Sequence, residues 1–497
     1  MMWSLFVLFA LGLLLGTHAY DGSRYDNVVA YWGQNSYGAT HTDVVNYQQR
    51  IGYYCGDDAV DVFPVAFVDI FFSTGGLPSM NLANTCNPTD NATFSGTLLP
   101  DCSVLASDIE TCQAAGKLVT ISLGGANGGV GFSSDAQGTA FAQTIWDLFL
   151  GGSSSTRPFG SAVLDGVDLD IEGGGGTGYA AFVTEIRSLA SGASKQYYIT
   201  AAPQCVFPDA SLGSVINAVA FDAIYGASVQ FYNNPCGLPF FETTTWNFGV
   251  WDNWARTTSP NPDVKVFLGA PAASLAAGTG YQDLATLSSY AVQMRQSFPS
   301  FGGVMLWDES QAYVNDRYDL GIKNALVAAG GTGFTFPACS APAYVAGTAY
   351  SGGSKVSYDG YIYEAKYYAD DVPSNDPNGD WSAISACSGA GGSSSASSSA
   401  TKTTTSTSQT TTTVTSTTTS ASSSPTSGSC AGIAAWSSSV AYAGGSQVTY
   451  NGDLWTSLYW SQASTPGGSA GVWVDDGPCA VSRRDVRSTP NSRFFRL

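Results

Sequence analysis

The sequence contains very little histidine and few charged side chains. Only two of its 497 residues are histidine, and Asp, Glu, Lys and Arg together make up 11% of the chain, against about a quarter in an ordinary soluble protein. A multi-histidine metal centre is therefore excluded, and a Ser-His-Asp triad would depend on His41 alone, because His18 lies in a segment that we expect to be removed. No metal and no cofactor are expected, and any catalysis should be carried by carboxylates.

Positive charge and long apolar runs are also scarce. The chain has 19 Lys and Arg against 38 Asp and Glu, a net charge of −19, which disfavours nucleic acid and anionic membrane as partners. The apolar run 5–15 is too short to span a bilayer. Followed by small residues at 17–19, it indicates a signal peptide over residues 1–19, with an uncleaved anchor as the alternative. We expect a secreted, extracellular protein, either released or retained on the cell wall.

The ten cysteines of the chain favour five disulfides in such a protein. The six cysteines that precede residue 335 can pair in fifteen ways, and spacing alone does not choose among them. Asn91-Ala92-Thr93 is an acceptor sequence for N-glycosylation.

Two similar segments lie on either side of a tract of low complexity. Residues 388–429 are almost entirely Ser, Thr, Gly and Ala, which predicts a flexible, O-glycosylated linker. The flanking segments, 339–387 and 430–479, share a Val-x-Tyr-Asx-Gly pattern and begin and end with cysteine. Each is too small to be stable through apolar burial alone, so we predict one closing disulfide in each. The tail 480–497 is basic, and it is either disordered or processed at Arg483-Arg484.

Residues 25–335 alternate apolar, strand-like segments with amphipathic, helix-like segments. Eight such strands in about 310 residues predict the α/β class and a (β/α)8 TIM barrel, with an open, doubly wound sheet as the alternative. The predicted strands are 27–32, 62–72, 118–123, 163–172, 197–202, 223–232, 264–270 and 303–307.

The fourth predicted strand carries three carboxylates at every second position, Asp168, Asp170 and Glu172. Side chains alternate along a strand, so all three point into the barrel while the apolar residues between them point towards the helices. Their charges repel, which couples their titrations and favours one proton being shared. Glu172 comes last, at the strand end where barrel active sites lie, and the glycines 173–176 leave space around it. The alternatives are a solvated acidic edge strand and a calcium site.

This strand resembles a known family signature. Residues 165–172, DGVDLDIE, match the DGxDxDxE motif of glycoside hydrolase family 18, and Ser122-Leu123-Gly124-Gly125 matches the SxGG motif of that family. Residues 30–35, 229–235 and 302–307 are similar to plant and fungal class III, hevamine-like chitinases. The two repeats resemble chitin-binding type-3 modules of carbohydrate-binding family 5/12, although the first repeat has Tyr344 where the second has Trp436.

The resemblance implies a substrate-assisted, retaining mechanism. Glu172 would protonate the glycosidic oxygen, and the acetamido oxygen of the substrate would then attack the anomeric carbon to give an oxazolinium intermediate. Asp170 would accept a hydrogen bond from the acetamido N–H, Asp168 would share a proton with Asp170, and Tyr232 would hold the acetamido carbonyl. Trp307 is implied as an apolar floor beneath the sugar, and two further residues are implied to bind the sugar, Tyr31 and Gln230.

The resemblance also implies disulfides and module surfaces. The implied pairs are Cys55–Cys112, Cys86–Cys102, Cys205–Cys236, Cys339–Cys387 and Cys430–Cys479. The aromatic residues that could bind chitin in the two modules, some of which must instead be module core, are Tyr367, Tyr368, Trp381, Tyr459, Trp460 and Trp473.

Together these features predict a secreted, monomeric endochitinase with two chitin-binding modules. Its partners would be chitin and N-acetylglucosamine oligomers, with no nucleic acid and no membrane. Three alternatives stay open: an endo-N-acetylglucosaminidase acting on N-glycans, a chitin transglycosylase that remodels the cell wall, and a non-catalytic chitin-binding lectin. An acidic pH optimum is also expected, since Glu172 must be protonated to act.

Overall fold

The computed structural model describes residues 20–126, 129–225 and 231–388, together with shorter stretches between 430 and 479. The predicted signal peptide 1–19, the tail 480–497 and all of the linker except Ser388 lie outside the described residues. The chain divides into two compact units, Met1–Ser397 and Ser398–Leu497. In the part of the chain that is described, no helix has the length and apolar character needed to cross a membrane.

Eight parallel strands close into a barrel in the first unit, with β8 paired to β1. The predicted (β/α)8 barrel is therefore confirmed, and the open doubly wound sheet is excluded. The strands are β1 Asn27–Ala30, β2 Val62–Val68, β3 Leu118–Gly124, β4 Gly166–Asp170, β5 Tyr198–Ala201, β6 Ala223–Ile224, β7 Lys265–Pro271 and β8 Phe301–Trp307. The helices are α1 Ser36–Thr40, α2 Ile51–Tyr54, α3 Ala106–Ala114, α4 Asp135–Phe149, α5 Tyr179–Ala190, α6 Gly213–Ala218, α7 Phe248–Thr257, α8 Leu284–Ser297, α9 Glu309–Val314 and α10 Tyr318–Ala329.

The barrel strands are buried on both faces, as is usual for parallel sheets. On β4, Val167 and Leu169 belong to the large core between the strands and the helices. Side chains on the opposite face, such as Val29 and Met305, belong to a smaller core inside the barrel. The alternation read from the sequence therefore describes two apolar layers separated by the strands.

Several strands end earlier than the sequence predicted. β4 was predicted to include Glu172 but ends at Asp170, because Asp170 is the last residue that pairs with β3. β2 ends at Val68 and not at residue 72, and β6 covers only Ala223–Ile224. The rest of the predicted sixth strand includes residues 226–230, which lie outside the described residues.

The first repeat folds as a three-stranded antiparallel sheet on the side of the barrel. Its strands are β9 Lys355–Tyr358, β10 Tyr361–Ala365 and β11 Trp381–Ala386, in the order β11-β10-β9. Buried residues of this sheet, among them Tyr363 and Trp381, belong to the same continuous core as the outer layer of the barrel. The first repeat and the barrel are therefore parts of one compact unit.

A buried polar contact joins the first repeat to α7. The Tyr361 hydroxyl donates to Asp252 Oδ2 at 2.7 Å, and Arg256 Nη1 donates to the Tyr361 oxygen at 2.8 Å. Asp252 has no exposed surface. One turn earlier on α7, a Cβ atom added to Gly249 would lie 2.1 Å from the carbonyl oxygen of Ala383. The absence of a side chain at Gly249 therefore lets β11 approach the helix closely.

The second unit contains the second repeat. Its strands are β12 Ala441–Tyr442, β13 Gln447–Tyr450, β14 Asp453–Ser457, β15 Ser461–Gln462 and β16 Trp473–Pro478. β13, β14 and β16 form one antiparallel sheet, and β12 pairs with β15. A small core of Tyr442, Val448 and Trp473 lies between them.

All ten cysteines form disulfides, and the pairs are those that the family resemblance implied. The pairs are Cys55–Cys112, Cys86–Cys102, Cys205–Cys236, Cys339–Cys387 and Cys430–Cys479.

The carboxyl group of Glu309 is buried, and its burial should be measurable as a pH dependence of the stability of the fold. Glu309, the first residue of α9, is 1% exposed, and its Oε2 has no hydrogen-bond partner among the described residues. Burial raises the pKa of Glu309 well above its usual value, the charge of Asp319 raises it further, and Arg317 offsets only part of this. Folding therefore favours the neutral form of the Glu309 carboxyl group.

We expect Glu309→Gln to stabilise the protein increasingly as the pH rises above about 4.3, the ordinary pKa of a glutamate carboxyl group, and the gain to level off once the pH passes the raised pKa of Glu309. The unfolded chain loses the Glu309 proton near the ordinary pKa while the folded chain keeps it, so wild-type stability falls between the two pKa values by about 1.4 kcal/mol per pH unit. Glutamine does not titrate and removes this loss. Thermal unfolding at several pH values measures the difference, and a constant gap between the two proteins would contradict the prediction.

Candidate active site

Asp168 lies inside the barrel and is held by three hydroxyl groups from three other positions around it. Tyr31, which follows β1, and Ser122, on β3, each donate to Oδ2 at 2.7 Å, and Thr200, on β5, donates to Oδ1 at 2.7 Å. Asp168 is fully buried. Burial raises the pKa of Asp168, and the three hydroxyl donors oppose the rise by stabilising the ionised form.

The two glycines after Ser122 bring β3 close to the end of β4. Gly124 has φ 120°, and a Cβ atom there would lie 2.0 Å from the carbonyl oxygen of Asp170. The next amide, Gly125 N–H, donates to that same oxygen at 2.8 Å. The Ser122-Leu123-Gly124-Gly125 motif thus holds two carboxylate residues at once, the side chain of Asp168 and the backbone of Asp170.

Asp170 and Glu172 extend the row of carboxylates towards solvent. Asp170 is 2% exposed, whereas Glu172, two residues beyond the end of β4, is partly exposed. Cβ atoms added at Gly173, Gly174 and Gly175 would meet nothing within 4 Å, so the glycine run leaves the space beside Glu172 open. Glu172 is therefore the most accessible carboxyl group of this row.

The strand is not an acidic edge strand, since β4 pairs with β3 on one side and β5 on the other. Among the described residues, no three carboxylate, imidazole or thiol side chains are grouped closely enough to hold a metal ion.

Aromatic side chains surround the carboxylates. Trp307, at the end of β8, is partly exposed; its ring lies 5.6 Å from that of Tyr31 and 6.0 Å from that of Phe67, nearly parallel to the latter. Tyr232 is 4% exposed. Burial raises the pKa of Tyr232 well above its usual value, and the charges of Asp170 and Glu172 raise it further. Tyr232 therefore remains a hydroxyl donor beside both carboxylates.

The structure corrects one predicted role and extends the set of site residues. Tyr31 has no exposed surface, so it cannot contact a sugar as predicted, and its hydroxyl binds Asp168 instead. Gln230 lies outside the described residues. Thr200 and Phe67 were not predicted, because a threonine and a phenylalanine within apolar strands look like ordinary core residues in the sequence.

The predicted aromatic residues of the two modules separate into surface and core. Tyr367 and Tyr368 are 63% and 62% exposed. Trp381 and Trp473 are 2% and 7% exposed, so both belong to the cores of their modules. Tyr459 and Trp460 lie outside the described residues.

The predicted glycosylation site is accessible in the fold. Asn91 is partly exposed, and its Oδ1 accepts a hydrogen bond from the Asn87 amide. Glycosylation of Asn91 remains a prediction.

A closed barrel with a row of inward carboxylates that ends at the C-terminal side of β4 is typical of a TIM-barrel enzyme. The family model "Glycosyl hydrolases family 18" matches residues 27–285, more than half of the chain. The chain belongs to glycosyl hydrolase family 18.

Relatives of the chain are named as chitinases. It is 46% identical over 317 residues to "Chitinase 2" of Rhizopus oligosporus, covering 64% of this chain and 55% of that protein. It is 42% identical over 334 residues to "Endochitinase" of Saccharomyces cerevisiae, covering 66% and 55%. The chain thus spans just over half the length of these curated relatives. Among solved structures, the ICChI chitinase from Ipomoea carnea is similar, with 32% identity, a TM-score of 0.50, and coverage of 60% of this chain and 99% of that one.

Proposed function

We propose that this protein is an endochitinase that hydrolyses β-1,4 linkages between N-acetylglucosamine units of chitin. The observation that carries the proposal is the row Asp168, Asp170 and Glu172. Asp168, at one end of the row, is buried and accepts hydrogen bonds from three hydroxyl groups, and Glu172, at the other end, is open to solvent. The relatives named as chitinases support it at 46% and 42% identity.

The arrangement suits a substrate-assisted mechanism with retention of configuration. Glu172 donates its proton to the glycosidic oxygen, which leaves as the hydroxyl of the departing chain, while the acetamido oxygen of the substrate attacks the anomeric carbon. Asp170 accepts the acetamido N–H and offsets the positive charge of the oxazolinium intermediate. Glu172 then removes a proton from water as the water opens the ring, and so regains the proton it gave.

The residues around the carboxylates have supporting roles in this proposal. Tyr232 donates its hydroxyl hydrogen to the acetamido group, next to the two carboxylates that raise its pKa. Trp307 offers the sugar its partly exposed face, backed by Tyr31 and Phe67. Asp168 influences the protonation of Asp170, and Tyr31 positions Asp168.

Tyr31→Phe is expected to move the acidic limb of the pH–rate profile to higher pH. The variant removes one of three donors to the Asp168 carboxylate, and fewer donors favour the neutral form, so the pKa of Asp168 rises. We expect a fall in kcat of roughly 10- to 150-fold at acidic pH, from a lost hydrogen bond to a charged group, and a smaller fall at neutral pH.

The control is Tyr37→Phe, which removes a tyrosine–aspartate hydrogen bond, to Asp43 at 2.8 Å, that involves none of the three carboxylates of the row. It should leave the pH–rate profile unchanged. If Tyr31→Phe lowers the rate equally at every pH, Tyr31 is a packing residue and does not tune Asp168.

The two repeats and the linker complete the proposal. Both repeats are proposed as chitin-binding modules of the type-3 kind, and the linker between them as O-glycosylated. They would raise the concentration of the barrel at insoluble chitin, since a second bound module makes rebinding intramolecular. Secretion, with or without retention on the cell wall, follows from the predicted signal peptide.

The test of the proposed function is the set of products that the protein releases. We expect short N-acetylglucosamine oligomers from colloidal chitin and none from N-glycosylated protein. Release of N-glycans would identify an endo-N-acetylglucosaminidase, products longer than the soluble substrate would identify a transglycosylase, and binding without cleavage would identify a lectin.

A further inference from the structure

A crevice lies between the barrel and the first repeat. It has a volume of about 280 Å³ and is lined on one side by Phe207, Pro235 and Trp246 and on the other by Tyr367 and Ser382. A larger cavity of about 560 Å³ adjoins it, and the two share Trp246 and Ser382. Together they provide room for more than one small ring, since ligand sites usually occupy about 300–1,000 Å³.

Three side chains of the crevice carry buried polar atoms that bind nothing among the described residues. They are the indole N–H of Trp246, Oδ1 of Asn247 and the hydroxyl of Ser382. Trp246 is 9% exposed. The amide group of Asn247 is oriented by its nitrogen, which donates to the Cys205 carbonyl at 2.6 Å. Buried polar groups are normally paired, so this set of a donor, an acceptor and a hydroxyl indicates a site for a polar ligand.

The remaining surface of the crevice indicates which ligand fits. Tyr367 presents a ring that is 63% exposed, and Phe207 and Pro235 add apolar surface. Among the described residues, four charged side chains line the crevice or the adjoining cavity: Glu242, Lys355, Glu364 and Lys366. Each already has a partner, since Lys355 and Glu364 pair at 3.3 Å, Glu242 accepts a hydrogen bond from Gln293, and Lys366 Nζ donates to the Pro377 carbonyl at 2.7 Å. Apolar surface combined with amide and hydroxyl partners suits an uncharged sugar that carries an N-acetyl group, and it does not suit an ionic ligand.

Two of the segments that line the crevice lie at the same end of the barrel as the carboxylates. Phe207 lies on the loop after β5, and Pro235 lies on the segment after β6, three residues beyond Tyr232. The disulfide Cys205–Cys236 joins these two segments. The loop after β5 also contacts the loop that follows Glu172, because the Ser211 hydroxyl donates to the Gly174 carbonyl at 3.4 Å.

We propose that this crevice is a second saccharide-binding site, which holds the part of a long N-acetylglucosamine chain that extends beyond the catalytic carboxylates. This rests on the proposed chitinase function and deepens it. The first repeat then forms one side of the groove that binds the substrate chain.

The contacts that form the crevice belong to the first repeat and not to its counterpart. Tyr361, which binds Asp252, corresponds in the repeat alignment to Asp453, and Ala383, which packs on Gly249, corresponds to Asp475. A carboxylate at either position would meet a buried carboxylate or a closely packed backbone. The sequence of the second repeat is therefore unsuited to this contact.

The experiment compares soluble N-acetylglucosamine oligomers of increasing length as substrates for the full chain. We expect Tyr367→Ala to raise KM for the hexasaccharide and longer oligomers by roughly 3- to 10-fold, with kcat unchanged, and to leave the di- to tetrasaccharides unaffected. Ser382→Ala should raise KM for the same long substrates by roughly 2- to 10-fold. The control Tyr358→Ala removes a tyrosine of the same repeat, 38% exposed, that does not line the crevice, and should change neither parameter.

Thermal unfolding separates binding from a structural role. Ser382→Ala removes an unpaired buried hydroxyl, so the variant should be as stable as wild type or more stable while it binds long substrates less well. If Ser382→Ala is less stable than wild type and its change in KM does not depend on substrate length, the proposal is overturned. The crevice is then only a packing interface between the barrel and the first repeat.

A third variant tests the crevice from the barrel side. Gly249→Ala places a methyl group against the Ala383 carbonyl, which should separate β11 from α7 and reproduce the length-dependent rise in KM. Unchanged KM for long substrates in all three variants would also overturn the proposal. Failure of the proposed function gives a different result, because wild type would then cleave no oligomer of any length.

Discussion

Replacing Glu172 by glutamine is expected to lower kcat on N-acetylglucosamine oligomers by roughly 10²–10⁴-fold, the usual contribution of a general acid–base group. Glutamine keeps the shape of the side chain but has no proton to give to the glycosidic oxygen. Glu172 is the partly exposed member of the carboxylate row, beside an open run of glycines, so the substitution should disturb neither the barrel nor substrate binding. We therefore expect KM and adsorption to colloidal chitin to stay near wild-type values.

A matched control is Glu110→Gln, which changes an exposed glutamate on α3 that accepts a hydrogen bond from Ser161. It should leave kcat unchanged. If Glu172→Gln cleaves as fast as wild type, another group is the acid and the proposed assignment fails. If neither wild type nor variant cleaves but both bind chitin, the protein is a lectin on a hydrolase fold.

Asp170→Asn is expected to lower kcat by roughly 10²–10³-fold, comparable to the loss of one preorganised electrostatic contact in an active site. Asparagine fits the same space but cannot offset the positive charge of the oxazolinium intermediate. That charge is absent from the bound substrate, so KM should change much less than kcat. The backbone of Asp170 is held by Gly125 N–H, an interaction that the variant keeps.

The same mechanism predicts that wild type will not cleave fully deacetylated glucosamine oligomers, because these have no acetamido oxygen to attack the anomeric carbon. Asp165→Asn is the matched control. Asp165 lies at the opposite end of β4, where it binds Lys195 at 2.8 Å and the Val119 amide at 2.7 Å, so its loss should lower stability and spare kcat. A D170N protein with a near-normal rate, or cleavage of glucosamine oligomers, would rule out substrate assistance.

The sequence predicted the barrel and the carboxylate row because both depend on local alternation. The spacing of Asp168, Asp170 and Glu172 placed them on one face of a strand, and the structure has β4 as a central strand with that face inward. The end of the strand was not predictable in the same way. It depends on where β3 stops pairing, at Gly124 and Asp170, and a single strand carries no information about its neighbour.

The donors to Asp168 show the same limit. Ser122 was recognised because it belongs to a motif, whereas Thr200, 32 residues further along the chain, is placed beside Asp168 by the pairing of β4 with β5. The family resemblance implied that Tyr31 binds the sugar, and only the structure shows that it is buried and that its hydroxyl donates to Asp168.

The repeats were similar enough to suggest two modules of the same kind. The difference between Tyr361 and Asp453 is visible in the sequence, but its meaning depends on Asp252, more than a hundred residues earlier on α7. A residue that differs between repeats can be interpreted only when its partner surface is known.

The buried contact between Tyr361 and Asp252 also bears on how the protein is synthesised. The ribosome completes the barrel sequence, near residue 335, before it translates β10 and β11 at residues 361–386, and domains generally fold as they appear. During that interval the face of α7 that carries Asp252 and Gly249 has no cover, and a chain truncated near residue 335 would keep that face exposed permanently. The shortest stable expression product should therefore end beyond Cys387, and a nascent barrel would need protection from aggregation until β11 has been translated.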